Sequence, residues 1–254
     1  MKLGTVTYNI AKDWNLETLI QNCAKTGFEG VELRTTHAHG VEVSLSKAER
    51  ETVKKRFINS PVELMGLGSA FDYHTPDQDK RRRDIAATKE YITLAHDVGA
   101  PGIKVRPNAF PQGVSKPHTL EQIGKSLREI AIFGADQGVE IRVEVHGKET
   151  CLLPNMRIMM DIADHPNVGV VWNSNRQDMA GEGFDYNFRL IEDKIMQVHL
   201  KDLSDDTYPY RRLFHHLRRI GFTGYCCAEI PGSDDPIRVM QYFRALFLAY
   251  QGLL

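Results

Sequence analysis

Eight short runs of apolar and β-branched residues recur along the chain, each followed by a longer stretch of helical period, and this alternation restricts the fold more than any other feature. The runs are LGTVTYN (3–9), EGVELR (29–34), VELMGLG (62–68), GIKVRP (102–107), EIRVEVHG (140–147), VGVVWN (168–173), IMQVHLKD (195–202) and YCCAEIP (225–231). Between them, Leu120, Ile123, Leu127, Ile130, Ala131 and Gly134 fall at spacings of three and four, which predicts a helix over 119–138 with one apolar face and a charged back. Leu16, Leu19, Ile20 and Cys23 repeat that pattern and stop at Gly27. Strands that alternate with helices pair in parallel through right-handed crossovers. Eight such units in 254 residues average about 32 each, the size of a compact βα unit. No Pro/Gly linker or low-complexity tract interrupts the series, so one domain over 1–254 is expected. A doubly wound sheet would carry a glycine-rich phosphate loop after its first strand, and VTYNIAKDW stands there instead. The predicted fold class is α/β, a single closed (β/α)8 TIM barrel.

In such a barrel the chemistry belongs at the ends of the strands. The last positions of the runs hold Tyr8 and Asn9, Glu32 and Arg34, Gly68 and Ser69, Lys104 and Arg106, Glu144 and His146, Asn173 and Asn175, His199 and Lys201, and Glu229. Several are i, i+2 pairs, which point to one side of a strand, while Leu33, Val105, Val145 and Leu200 point to the other. A single strand-end acid or histidine is usually structural, and Arg34, Lys104 and Arg106 equally suit the neutralisation of neighbouring carboxylates. Glu144, Asn173, His199 and Glu229 on four successive strands are harder to dismiss, because all offer oxygen or nitrogen donors suited to one divalent cation such as Mn²⁺, Mg²⁺ or Zn²⁺.

Other clusters carry less. The histidines of HAH (37–39) lie in a loop near the mouth, DKRRRD (79–84) opens a helix and reads as a solvated face, and His215 and His216 are expected on the surface of an amphipathic helix. No nucleophile elbow or P-loop is present. A formal net charge of −1 supplies no global field for nucleic acid or an anionic membrane, so a small molecule is the expected partner. Cys23, Cys151, Cys226 and Cys227 show no CxxC spacing, which points to a reducing, cytoplasmic setting. MKLGTVTYNIAKDW lacks a continuous apolar core of signal-peptide type, and no stretch approaches the roughly 18 apolar residues of a membrane span, so a soluble chain is expected. The loop DDTYPYRR (205–212) suits either a cover for the pocket, with Tyr208 and Tyr210 stacking on a sugar, or a homo-oligomer contact; simple packing of the loop is the plainer expectation.

With VEVHG at the fifth run, VHLKD at the seventh and LFHHLRRIGFTGYCCAEI leading into the eighth, nearly the whole chain resembles the xylose-isomerase-like TIM-barrel superfamily of sugar phosphate isomerases and epimerases, which also includes the endonuclease IV group. The most specific elements are HLKD and the spacing from Gly221 and Gly224 to Glu229. The resemblance implies proton transfer beside a carbonyl through an enediolate, with a divalent metal on Glu144, His199 and Glu229 and with Glu144 and Glu229 as base and acid. His146, Lys104, Arg106, Lys201 and Glu32 would orient a small carbohydrate substrate. The epimerase pattern places an Asp at the end of strand six and a His three residues later, and this chain has Asn173 and Arg176 there. Two glutamates, a neutral His and a neutral Asn would balance a divalent ion, so weaker metal binding is expected. Arg176 would grip a carboxylate or phosphate bidentately, and Asp178 is a candidate replacement ligand. Two alternatives remain open at this stage: a lyase or dehydratase using the same enolate, and a metal-depleted barrel that only binds. The multi-metal centre of the endonuclease branch needs more His and Asp than these strand ends provide.

Overall fold

In the computed structural model, which describes residues 1–253, eight parallel strands close into one barrel in sequence order. The strands are β1 Lys2–Val6, β2 Gly30–Arg34, β3 Glu63–Gly68, β4 Gly102–Val105, β5 Glu140–Glu144, β6 Val168–Trp172, β7 Ile195–Leu200 and β8 Tyr225–Ala228. The helices that return the chain are α1 Leu16–Thr26, α2 Lys47–Ile58, α3 Gln78–Val98, α4 Lys116–Asp136, α5 Leu153–Ala163, α6 Phe184–Ile191, α7 Tyr210–Arg219 and α8 Pro236–Gln251. All eight expected strands are present, each shorter than its apolar run, because the polar last residues of most runs have already turned into loop.

Local signals set the helix ends. The Asn15 side chain accepts from Thr18 N at the start of α1, and Gly27 ends that helix in the left-handed conformation at φ 73°, where a side chain is disfavoured. The expected helix over 119–138 begins three residues earlier, behind Ser115 and with a proline in its first turn.

Strand alternation separates two environments. Leu33, Leu67, Ile103, Val143, Trp172 and Leu200 face outward and are buried in the large apolar layer between strands and helices. The inward positions hold Glu32, Lys104, Arg142, Glu144, Asn173, Gln197 and His199, all buried, with Val171 and a small apolar cluster of Val6, Met65 and Cys227 beside them. The lumen is therefore predominantly polar. Its width is set partly by glycine: a Cβ on Gly102 would lie 2.6 Å from Arg142 Nε, and one on Gly68 would lie 2.6 Å from a Glu32 oxygen. Between β2 and β3 the register skips Met65, a β-bulge, and the Met65 carbonyl accepts instead from Arg142 Nη1 at 2.7 Å.

Candidate active site

The carboxyl end of the barrel collects the expected groups. Glu144 is the last residue of β5, Asn173 follows β6, His199 is next to last in β7 and Glu229 follows β8. One donor atom from each of Glu144, His199 and Glu229 lies within 4.8 Å of the others. His199 is fully buried, and its Nδ1 stands 4.0 Å from Glu144 Oε1 without a hydrogen-bond partner. A buried nitrogen left bare beside two carboxylates is the donor chemistry that suits a divalent cation.

Two lysines hold the outer oxygens of the glutamates. Lys104 Nζ donates to Glu144 Oε2 at 2.5 Å within an almost fully buried pair. Lys201 Nζ donates to Glu229 Oε2 at 2.8 Å and lies 3.4 Å from Asn173 Oδ1. Asn173 Nδ2 donates to Glu144 Oε1 at 3.0 Å and to the Val145 carbonyl at 3.3 Å. Burial alone would raise the Glu144 carboxyl, but the Lys104 ammonium and His199 outweigh it and hold the group well below the usual carboxylate range. Beneath this layer, Glu32 is 1 % exposed, and its Oε2 accepts from Gln197 Nε2 at 2.6 Å and lies 3.3 Å from His199 Nε2. Burial opposes charge on both Glu32 and His199; their mutual attraction prevails, lowering the acid and raising the imidazole.

The remaining expected residues divide. His146 is half-buried just beyond Glu144 with its Nδ1 unpartnered, and burial holds its ring below the ordinary imidazole value against the pull of Glu144. Arg106 donates from Nη2 to the Ala70 carbonyl at 3.2 Å, while its buried Nε has no partner. Both therefore keep polar atoms free near the site. Arg176 begins a short 3₁₀ turn, Arg176–Met179, and is exposed, so the structure does not bring it onto the carboxylate cluster. Asp178 is fully buried: its Oδ2 accepts from Tyr208 Oη at 2.6 Å and from Asn175 N at 2.9 Å, and its donor atoms do not converge with those of Glu144, His199 and Glu229. Trp172 Nε1 donates to that same Tyr208 oxygen at 2.9 Å. Tyr208 and Tyr210 are buried with ring centroids 4.7 Å apart, so they pack the loop and present no face to a sugar.

Two placements in the sequence reading change. His216 is buried rather than on the surface: its ring stacks on Phe188 at 4.8 Å and its Nε2 meets Asp185 Oδ1 at 2.7 Å, which clamps α7 against α6. Gln197 and Arg142 were absent from the expected site, although each stands two residues before a singled-out group and on the same strand face. That i−2 position was the signal for both. Gly147, the last residue of VEVHG, is required by close approach: φ is 91° and a Cβ would fall 1.6 Å from the Asn108 carbonyl oxygen.

The family model for xylose isomerase-like TIM barrels matches residues 20–246, and the chain belongs to that family. It is 21 % identical over 240 residues to the 2-oxo-tetronate isomerase of Haemophilus influenzae, an alignment covering 87 % of this chain and 90 % of that protein. Its fold matches that of D-psicose 3-epimerase crystallised in the presence of D-fructose, with a TM-score of 0.84 and 18 % identity over 99 % of this chain and 100 % of the other. A zinc-bound structure of the IolI protein matches with a TM-score of 0.83 and 16 % identity over 99 % and 98 % of the two chains. Among the described residues, no helix is long and apolar enough to cross a membrane.

Proposed function

We propose that this chain is a divalent-metal-dependent isomerase or epimerase acting on a small keto-sugar or related polyol. The observation that carries the reading is the convergence of Glu144, His199 and Glu229 donor atoms within 4.8 Å at the strand ends, around a buried His199 Nδ1 with no protein partner. The 2-oxo-tetronate isomerase relative supports the reaction class, and the zinc in the IolI structure supports the cation.

Glu144, His199 and Glu229 would hold the ion; Asn173, the fourth expected ligand, turns its Nδ2 to Glu144 and its Oδ1 to Lys201, so its amide would have to flip to add an oxygen. When bound, a divalent cation supplies Lewis acidity that polarises a substrate carbonyl and lowers the barrier to removing the adjacent C–H proton. The protein's own groups do the rest. Glu144 and Glu229 lie at the ends of strands separated by β6 and β7; each has Oε2 held by a lysine, and the Glu144 Oε1 that would take or return a proton also accepts from Asn173 Nδ2. Lys104 and Lys201 fix the carboxylate planes. His146 Nδ1 and Arg106 Nε, both unpartnered, are placed to orient substrate hydroxyl or carboxylate groups. Arg176, exposed on the neighbouring loop, meets the substrate only from the mouth. The four cysteines are buried and unpaired, in keeping with a cytoplasmic protein.

The test pairs turnover with mass balance. Protein supplied with Mn²⁺, Mg²⁺ or Zn²⁺ is incubated with a panel of small ketoses and keto acids, and products are identified by NMR. Isomerisation or epimerisation conserves mass; release of water or another leaving group would move the assignment to a lyase. Glu144→Gln and Glu229→Gln are each expected to lower kcat by about 10²–10⁴-fold. Full turnover in both variants would rule out the two-carboxylate mechanism.

A further inference from the structure

Glu32 is 1 % exposed and sits at the inner end of a continuous chain of polar contacts through the barrel. The chain starts at Glu140, whose Oε2 accepts from Arg142 Nε at 2.9 Å and from Nη2 at 2.7 Å. Arg142 Nη1 donates to the Met65 carbonyl at the bulge and, at 2.9 Å, to Gln197 Oε1. Because a guanidinium can only donate, this contact fixes which way the Gln197 amide faces. Its Nε2 must point at Glu32 Oε2, 2.6 Å away, and toward Cys227 Sγ at 3.7 Å. Those two acceptors use both amide hydrogens. Gln197 Nε2 also lies 3.0 Å from His199 Nε2, and the same Glu32 Oε2 lies 3.3 Å from that ring nitrogen, so a proton on His199 Nε2 has an acceptor there.

We infer that Glu32 is a positioning residue: with Gln197 and Arg142 behind it, it keeps the His199 proton on Nε2, so that Nδ1 is the nitrogen offered to a cation between Glu144 and Glu229. The inference rests on the proposed function for the identity of the cation, but the tautomer depends on the hydrogen-bond chain alone. A carboxylate behind a ligating histidine also raises its donor strength and locks the ring plane. Glu32 Oε1 has no partner of its own, and the absent side chain of Gly68 makes room for it, since a Cβ there would lie 2.6 Å away.

Long-range ¹H–¹⁵N correlation on metal-free, ¹⁵N-histidine-labelled full-length protein, at a pH where the ring is neutral, reads the tautomer directly. The expected result for His199 is a protonated Nε2 and a bare Nδ1. Calorimetric titration with Zn²⁺ alone is expected to show Glu32→Ala binding about 10–100-fold more weakly than wild type. Gln197→Met, close in shape but unable to donate, is expected to lose less and to let the tautomer signals begin to mix. A loss that came only from loosened packing would leave the wild-type pattern of ring nitrogens in both variants. An Nδ1-protonated ring in the wild type would overturn the inference, as would a Glu32→Ala protein with unchanged tautomer and unchanged Zn²⁺ affinity. The wild-type spectrum requires no substitution, so the test survives a variant that fails to fold. Wild-type protein that took up no Zn²⁺ would remove the cation from the proposed function, and the tautomer would then decide the role of Glu32 by itself.

Discussion

The two faces of the barrel wall are buried to the same degree and held by opposite physics. Outside the strands, Leu33, Leu67, Trp172 and Leu200 pack against helices in a continuous apolar layer, where stabilisation scales with area and tolerates exchange among similar shapes. Inside, Arg142, Gln197, Glu32, His199, Lys104 and Glu144 are linked by directional hydrogen bonds and ion pairs, where each member depends on its neighbours for compensation. The outer layer decides that there is a barrel, and the inner one decides where its polar atoms point.

The largest effect should come from breaking one inner pair. Lys104→Met leaves Glu144 buried beside a hydrocarbon, and a loss of about 3–5 kcal/mol is expected in urea denaturation, because removing one partner strands the other charge. The carboxyl of Glu144 should then titrate at higher pH, which carboxylate NMR would detect. An outer substitution, Leu67→Ala, should cost about 2–4 kcal/mol through the cavity it opens, while leaving Zn²⁺ affinity within about twofold of wild type. A large loss of affinity in that variant would mean that the two layers are coupled more tightly than their contacts show.

A third prediction concerns pH. Burial raises the Asp178 carboxyl to about 7, although Tyr208 and Asn175 N bond to it. A carboxyl raised on folding favours the protonated native state, so its contribution is complete below the unfolded value and fades as pH climbs toward 7. Relative to Asp178→Asn, which does not titrate, wild-type stability should fall by up to about 1.4 kcal/mol per pH unit between pH 5 and 7, measured by denaturation at each pH. A constant difference would place the carboxyl back in the ordinary range. The smallest effect belongs to the solvent-exposed pair Lys2–Glu63 at the opposite end of the barrel: Lys2→Ala should cost about 0.2–1 kcal/mol, and less in high salt.

The same contrast governs what could be read from the sequence. The outer layer was legible because period-2 strands and period-3.6 helices write their apolar faces directly into the residue order, and all eight units appear where the runs placed them. The candidate site was legible at Glu144, His199 and Glu229, where strand-end position and side-chain chemistry coincide and the donor atoms come together. It failed for Gln197 and Arg142, since a polar residue in mid-strand looks like an exposed one until the barrel closes around it. The partners of Asp178 were hidden for a different reason: the hydrogen-bond chain from Trp172 through Tyr208 joins residues up to 36 positions apart, and no local pattern announces it, whereas the two tyrosines pack the loop, the plainer of the expectations for them. Arg176 has the right chemistry for an anion, but a 3₁₀ turn carries it outward.

One feature of the lumen reaches beyond the site. Lys104 and Lys201 stand against Glu144 and Glu229 as built-in counter-ions, so the repulsion that would otherwise open an acidic cluster is already quenched by the polypeptide. On the proposed function, folding would then not wait for the cation. A newly made chain would close its barrel first and take up an ion afterwards, and a chelator would be expected to return it to a dormant, reloadable form without melting it.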